Sequence, residues 1–159
     1  PTSDRLSMPS LLVQSCSATK NQVTEPTRAL DVYDGYFFRI IKKAKREGAF
    51  DSDIDICILS AKYGIIDAED AIKTYDQRMT PSRAEELRES VTDDIRKRVE
   101  EKEYGEVVLN LGKDYLRAVD GLSGRCDVDI STVQGGGIGE KGKQLKRFVR
   151  SDTIPSVVS

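Results

Sequence analysis

Three short runs constrain what this chain can fold into: Ser10–Gln14, Ile54–Leu59 and Val107–Leu111. Each has the length of one strand, is largely apolar rather than alternating, and gives way to small, polar or glycine residues. Strands of that kind are covered on both faces, as in a parallel sheet. A fourth, weaker run is Val128–Thr132. Between the runs the apolar residues recur at spacings of three and four. Phe37, Ile40, Ile41 and Ala44 share one face of a helix starting near Tyr36, with Lys42, Lys43, Lys45 and Arg46 opposite and Gly48 as its stop. Asp34-Gly35 precedes it, either as a turn or with Asp34 as the capping residue. Thr80-Pro81 opens the longest helix, Pro81–Lys102, on which Ala84, Leu87, Val91, Ile95 and Val99 form the apolar stripe. Shorter helices are predicted over Arg28–Val32, over Asp114–Val119 with a stop at Gly121, and over Glu140–Val149. The alternation predicts an α/β domain: a mainly parallel central sheet of about four strands with helices on both faces, a Rossmann-like three-layer sandwich.

A chain of 159 residues has room for one core of ordinary size. The domain is expected over residues 10–150, with a flexible lead-in at 1–9 and a loose tail at 151–159. Lys and Arg number 25 against 27 Asp and Glu, so no basic coat marks the chain, although a local basic patch is compatible with that balance. Cys16, Cys57 and Cys126 are odd in number and far apart, which fits a reducing compartment and sets no disulfide framework. Histidine is absent. Its absence removes imidazole-based activation, ligation and proton shuttling, and leaves acid–base work to Asp, Glu, Lys, Tyr or Cys. A tight zinc site is not expected, nor is any cofactor. No apolar run approaches the ~20 residues of a membrane span. The opening PTSDRLSMPS lacks the order of a signal peptide. The expected setting is the cytoplasm, with no membrane partner.

In an open α/β sheet the loops that follow the strands gather at the carboxyl edge, where ligands bind. Four loops are expected there. In the first, Ser15–Asn21, the side chains of Ser15, Cys16 and Ser17 and the backbone amides suit a phosphate or a base edge, with Lys20 as the charge. An ordinary polar turn fits the same composition. Cys16 has no histidine to activate it and reads equally as a small buried residue. The second loop is Ser60–Gly64. It offers the Ser60 hydroxyl, Lys62 as a phosphate contact, Tyr63 as a stacking surface and Gly64 for a positive φ. The third, Lys73–Asp76, carries Tyr75 and Asp76, the latter a carboxylate base, a water-orienting group or simply a cap. The fourth, Gly135–Gly139, opens a basic helix containing Lys141, Lys143, Lys146, Arg147 and Arg150. It is not a dinucleotide fingerprint, because Glu140 stands where the third glycine belongs. Gly137, Gly139, Lys141 and Lys143, with Lys113 after the third strand, are candidate contacts to a nucleic-acid backbone, and a tight turn before a solvated helix face is the plainer alternative. Tyr33, Asp34 and Gly35 approach the same edge because the helix after them starts on that side.

These residues carry a resemblance. The order Ser15-Cys16-Ser17-x-x-Lys20, Leu30–Phe38, Ile58–Ile66 and Tyr75-Asp76 resembles a widespread uncharacterised microbial and phage domain with the pattern SCSxxK…LYxGxxF…LSAKYGLV…YD. Leu111-Gly112-Lys113-x-Tyr115 and Gly137-Ile138-Gly139-Glu140 are similar to later motifs of that group. The likeness spans Leu11–Phe148. It extends to YaaA-type peroxide-stress proteins and, more distantly, to the uracil-DNA-glycosylase-like domain attached to archaeal transfer-RNA transglycosylases, which implies a uracil-DNA-glycosylase-like form of the three-layer sandwich. The chain departs from the glycosylases in having no histidine.

The resemblance implies an enzyme acting on a nucleobase, modified or not, or on its N-glycosidic bond, most naturally in DNA or another nucleic acid. Cleavage of that bond builds positive charge on the sugar and negative charge on the departing base. Asp34 and Asp76 are then the candidate catalytic carboxylates, and Lys20, Lys62 or backbone amides the groups that meet the base. Tyr33, Tyr63 and Phe38 are candidates to stack on an extruded base. Two other readings fit the same residues: a non-catalytic DNA-binding module of DNA-damage or oxidative-stress response, and a sensor or hydrolase of a free nucleotide or nucleoside.

Overall fold

Residues Ser10–Ser15 (β1), Ile54–Ser60 (β3) and Glu106–Asn110 (β6) form the centre of the sheet, in a computed structural model that describes residues 9–16, 20–75, 77–133 and 137–150. β1 lies in the middle and pairs in parallel with β3 on one side and with β6 on the other. Asp129–Thr132 (β7) adds in parallel outside β6. Leu11, Leu12 and Val13 are each no more than 1% exposed. Successive strand residues point to opposite faces, so their joint burial means that both faces are covered.

The fifth strand is Gly64–Asp67 (β4), which returns antiparallel along the outer side of β3 and gives the order β4-β3-β1-β6-β7. The sheet therefore has one strand more than the apolar runs suggest. Four residues behind a glycine show no period of their own, and it is the free edge of β3 that makes them a strand. A second, two-stranded ribbon pairs Thr27–Arg28 (β2) with Ala71–Ile72 (β5).

The helices follow the sequence periods closely. Tyr36–Arg46 (α2) comes after the single turn Ala29–Val32 (α1) and ends before Gly48, which takes φ +70°. Its N-cap is Gly35, without a side-chain cap. The alternative of Asp34 as the capping residue is thereby corrected: its carboxylate is held by Arg39 and Lys42. Pro81–Lys102 (α3) begins as expected, with the Thr80 hydroxyl accepting from the Arg83 N–H at 3.1 Å. Lys113–Val119 winds as a 3-10 helix, and one further turn, Leu122–Arg125 (α4), follows Gly121. Ile138–Arg150 (α5) starts two residues ahead of the predicted Glu140, so Gly139 lies inside its first turn. α2 packs on α5, while α3 packs on the 3-10 helix and α4, giving the three-layer α/β arrangement. No helix of the described residues is long and apolar enough to cross a membrane.

The topology decides where chemistry can gather. β1, β3, β6 and β7 all end at one edge, delivering Cys16, Ser60, Gly112 and Val133 to it. α2 and α3 each run back from that edge to begin the next parallel strand, so their positive N-terminal ends face it.

Candidate functional site

At the carboxyl edge the ends of β1 and β3 are tied together by hydroxyl groups. Ser60 ends β3 and is fully buried. Its Oγ accepts from the backbone N–H of Lys62 at 3.1 Å and of Tyr63 at 3.0 Å, which folds the next three residues into a tight turn. The same Oγ lies 2.8 Å from the Tyr75 hydroxyl, which lies 2.6 Å from that of Tyr33. The direction of the Ser60–Tyr75 bond follows from counting. A serine oxygen has two lone pairs and one proton. Two backbone donors fill the lone pairs, so Ser60 donates to Tyr75. Tyr33 is fully buried, and its hydroxyl is met by those of Tyr75 and Ser60. The Tyr75 hydroxyl thus stands between Ser60 and Tyr33, at the centre of a short chain of hydroxyl groups.

Two ammonium groups flank this phenol. Lys20 Nζ sits 4.5 Å from the centre of the Tyr75 ring and 5.9 Å from that of Tyr33. Lys62 Nζ sits 5.8 Å from Tyr75 and 5.3 Å from Tyr63. Such cation–ring contacts hold the lysines over the site without neutralising them. Lys20 is brought there by a backbone bridge to Tyr33 that follows the first loop. The turn after Ser60 is fixed from outside by Arg83 of α3, whose Nε donates to the Ala61 carbonyl at 2.8 Å and whose Nη2 donates to the Lys62 carbonyl at 3.0 Å. Gly64 takes φ +77°, the left-handed conformation expected of it, and lets the chain reverse into β4.

Cys16 faces the other flank of the cluster. Tyr115, in the 3-10 helix after β6, donates to the Cys16 carbonyl at 3.3 Å and lies 3.1 Å from its Sγ. The phenol thus bridges the carbonyl and the sulfur of one residue. Tyr115 is a member of the site that the reading of the loops left out, although its motif was visible as Leu111-Gly112-Lys113-x-Tyr115. Below it, Asn110 Nδ2 donates to Gln14 Oε1 at 2.8 Å, a buried amide pair between β1 and β6. Two polar residues closing apolar strands were the signal for that pair.

Burial keeps the phenols protonated. The Tyr33 hydroxyl is pushed up to about 12, chiefly by burial. Burial also raises Tyr75 and Tyr115 above the ordinary phenol value, with the nearby Cys16 adding to both shifts. The cluster is thus a set of neutral O–H groups and two cations. It offers donors and positive charge, suited to a phosphate, a carbonyl oxygen or a developing oxyanion.

Other expected site residues divide clearly. Phe38 does not face a ligand: it is 1% exposed and supports Tyr33, ring centres 5.2 Å apart. Tyr33 is likewise too buried to stack on a base and reaches the site only through its hydroxyl. Tyr63 has an exposed ring, edge-on to Tyr75 at 5.6 Å. Asp34 lies beside Tyr33 in the chain, but its carboxylate contacts are Arg39 at 3.2 Å and Lys42 at 3.7 Å. The bond from Arg39 is the main cause of its lowered pKa. Ser15 ends β1 and is buried, and Gly35 caps α2. Lys113 is exposed at the start of the 3-10 helix, while Gly137, Gly139, Lys141 and Lys143 line the beginning of α5. Ser17 and Asp76 lie outside the described residues. No cluster of acidic or thiol groups able to hold a metal occurs among the described residues.

The crystal structure of AF0587, a protein of unknown function, is similar to this one, with a TM-score of 0.51 at 12% identity. The similarity covers 88% of this chain and 44% of that one, so this chain spans less than half of the neighbour's length. At that identity the likeness concerns the fold. No curated protein matches the chain. The sequence matches the Family of unknown function (DUF6884) over residues 11–147, nearly the whole described domain and every strand and loop that builds the cluster, and the chain belongs to that family.

Proposed function

We propose that the carboxyl edge binds one nucleotide unit of a nucleic acid and that the protein hydrolyses the bond between its base and its sugar. The observation that carries this reading is the Tyr75 phenol with the ammonium groups of Lys20 and Lys62 against its ring. A departing base gathers negative charge on its ring and carbonyl oxygens, and this trio meets that charge in a partly dehydrated setting. The exposed ring of Tyr63, beside it, suits an unstacked base next to the one in the site. Asp76 follows Tyr75 directly in the sequence and is the carboxylate assigned to orient water or steady the sugar cation. Asp34, already compensated by Arg39 and Lys42, serves the second role less well. The resemblance to YaaA-type proteins and to uracil-DNA-glycosylase-like domains supports the same substrate class, with phenols and lysines standing where histidine is missing.

The test is incubation with genomic DNA and with modified phage DNA, followed by mass spectrometry of released bases. Release that is abolished by Asp76→Ala and kept by Asp34→Ala is the expected result. Absence of release from every DNA, with binding retained, leaves a non-catalytic nucleic-acid-binding module in its place.

A further inference from the structure

Beside the cluster, a groove of about 540 Å³ runs along the side of β4 and the β2–β5 ribbon. It shares Lys62 and Tyr63 with the candidate site and continues from them to Lys73. Pro26, Ile66 and Ala71 give it an apolar lining. Lys62, Tyr63 and Lys73 are all exposed, so the groove presents two cations and an open aromatic face. The one carboxylate in the groove, Asp70, is engaged by the Asp67 backbone N–H at 2.8 Å. We infer that this groove is the track for single-stranded nucleic acid flanking the nucleotide in the site, with the backbone along Lys73 and a neighbouring base on Tyr63. The inference rests on the nucleotide-binding reading of the edge and adds to it that the substrate is a strand rather than a free nucleoside.

The chemistry favours a single strand over a duplex. An aromatic ring in a groove takes a base by its flat face, and bases in a duplex already stack on one another. A lysine in the same groove as such a ring meets the backbone of a strand whose base stacks there. A free nucleoside has no phosphates for Lys73 to meet.

Fluorescence anisotropy on the full chain tests this, with short single strands of DNA and of RNA, a duplex of the same sequence, and a mononucleotide as ligands. Single strands are expected to bind more tightly than the duplex and the mononucleotide, with affinity falling as salt rises. The DNA and RNA arms show which strand is preferred. Lys73→Ala is expected to weaken strand binding severalfold, to flatten the slope of log affinity against log salt by about 0.7, and to leave mononucleotide binding unchanged. Lys73 is exposed and outside the hydroxyl cluster, so its replacement leaves the fold intact. Equal affinity for strand and mononucleotide, or an unaltered salt slope in Lys73→Ala, overturns the groove and spares the site. Preference for the duplex overturns the single-strand assignment. Failure to bind any nucleotide ligand overturns both.

Discussion

Ser60 shows how much geometry one hydroxyl can hold. It closes the turn through two backbone donors and donates to Tyr75, which carries the chain on to Tyr33. Ser60→Ala leaves the N–H groups of Lys62 and Tyr63 without that acceptor, so a loss of about 1–3 kcal/mol in stability is expected. Tyr75→Phe removes the other end of the same bond. The double variant should then cost less than the sum of the two, with a coupling of about 0.5–3 kcal/mol. Urea unfolding of the four proteins in the cycle measures it, and strict additivity would show that the bond contributes nothing. At this scale the sequence was informative about residue types and silent about their division of labour. Tyr33, Tyr63 and Tyr75 were all visible as site residues, yet only burial separates the ring that can stack from the rings that cannot.

At the scale of elements, the link between α3 and the turn after β3 matters most. Arg83 reaches two carbonyls of the turn only because α3 begins at a defined residue. Thr80 sets that start, with its hydroxyl on the Arg83 N–H. Replacing Thr80 by Ala should cost about 1 kcal/mol, as for other caps of this type. Thr80→Ser should restore most of it, and equal midpoints in thermal unfolding for all three proteins would remove the cap from the account. The start of α3 was legible because cap and proline signals are local. β4 was not: its hydrogen bonds come from β3, and four residues after Gly64 carry too little pattern to announce a partner. The end of α3 was equally hidden, since Glu103 rather than a glycine takes the left-handed conformation, φ 54°, that closes the helix.

Across the whole molecule, four phenols are buried or half-buried. Tyr33, Tyr75, Tyr104 and Tyr115 all have raised pKa values, burial being the first cause for each, and the Asp55 carboxylate that accepts from Tyr104 at 2.6 Å raises that phenol further. A phenol whose folded pKa exceeds its unfolded value near 10 holds its proton more tightly in the folded state. Its contribution is fully present below the unfolded value and is lost as pH rises through the folded one. For Tyr33 that window runs from about pH 10 to about 12. Stability should therefore be insensitive to these groups at neutral pH and fall steeply in alkali. Phenolate absorbance and far-ultraviolet circular dichroism, followed together through alkaline titration, check it. Ionisation of these four tyrosines should coincide with loss of structure. Their smooth titration in a protein that stays folded would contradict the burial that the site depends on.

Sequence by itself determined the α/β class, the main helix periods and the edge at which the loops gather. Those features follow from local pattern: apolar runs of strand length, spacings of three and four, a cap followed by proline. Even the positive φ of Gly64 was local, because a glycine at the end of a polar turn takes it without steric cost. Tertiary structure alone decided which polar groups meet. Tyr115 lies 99 residues from Cys16, and Tyr33 lies 42 from Tyr75, so no local pattern could pair them. Their approach is set by the parallel register of β1 with β3 and β6, which brings distant loops to one edge. The same folding fixed the state of Asp34, a free carboxylate in the sequence and an ion-paired one beside Arg39 and Lys42 in space.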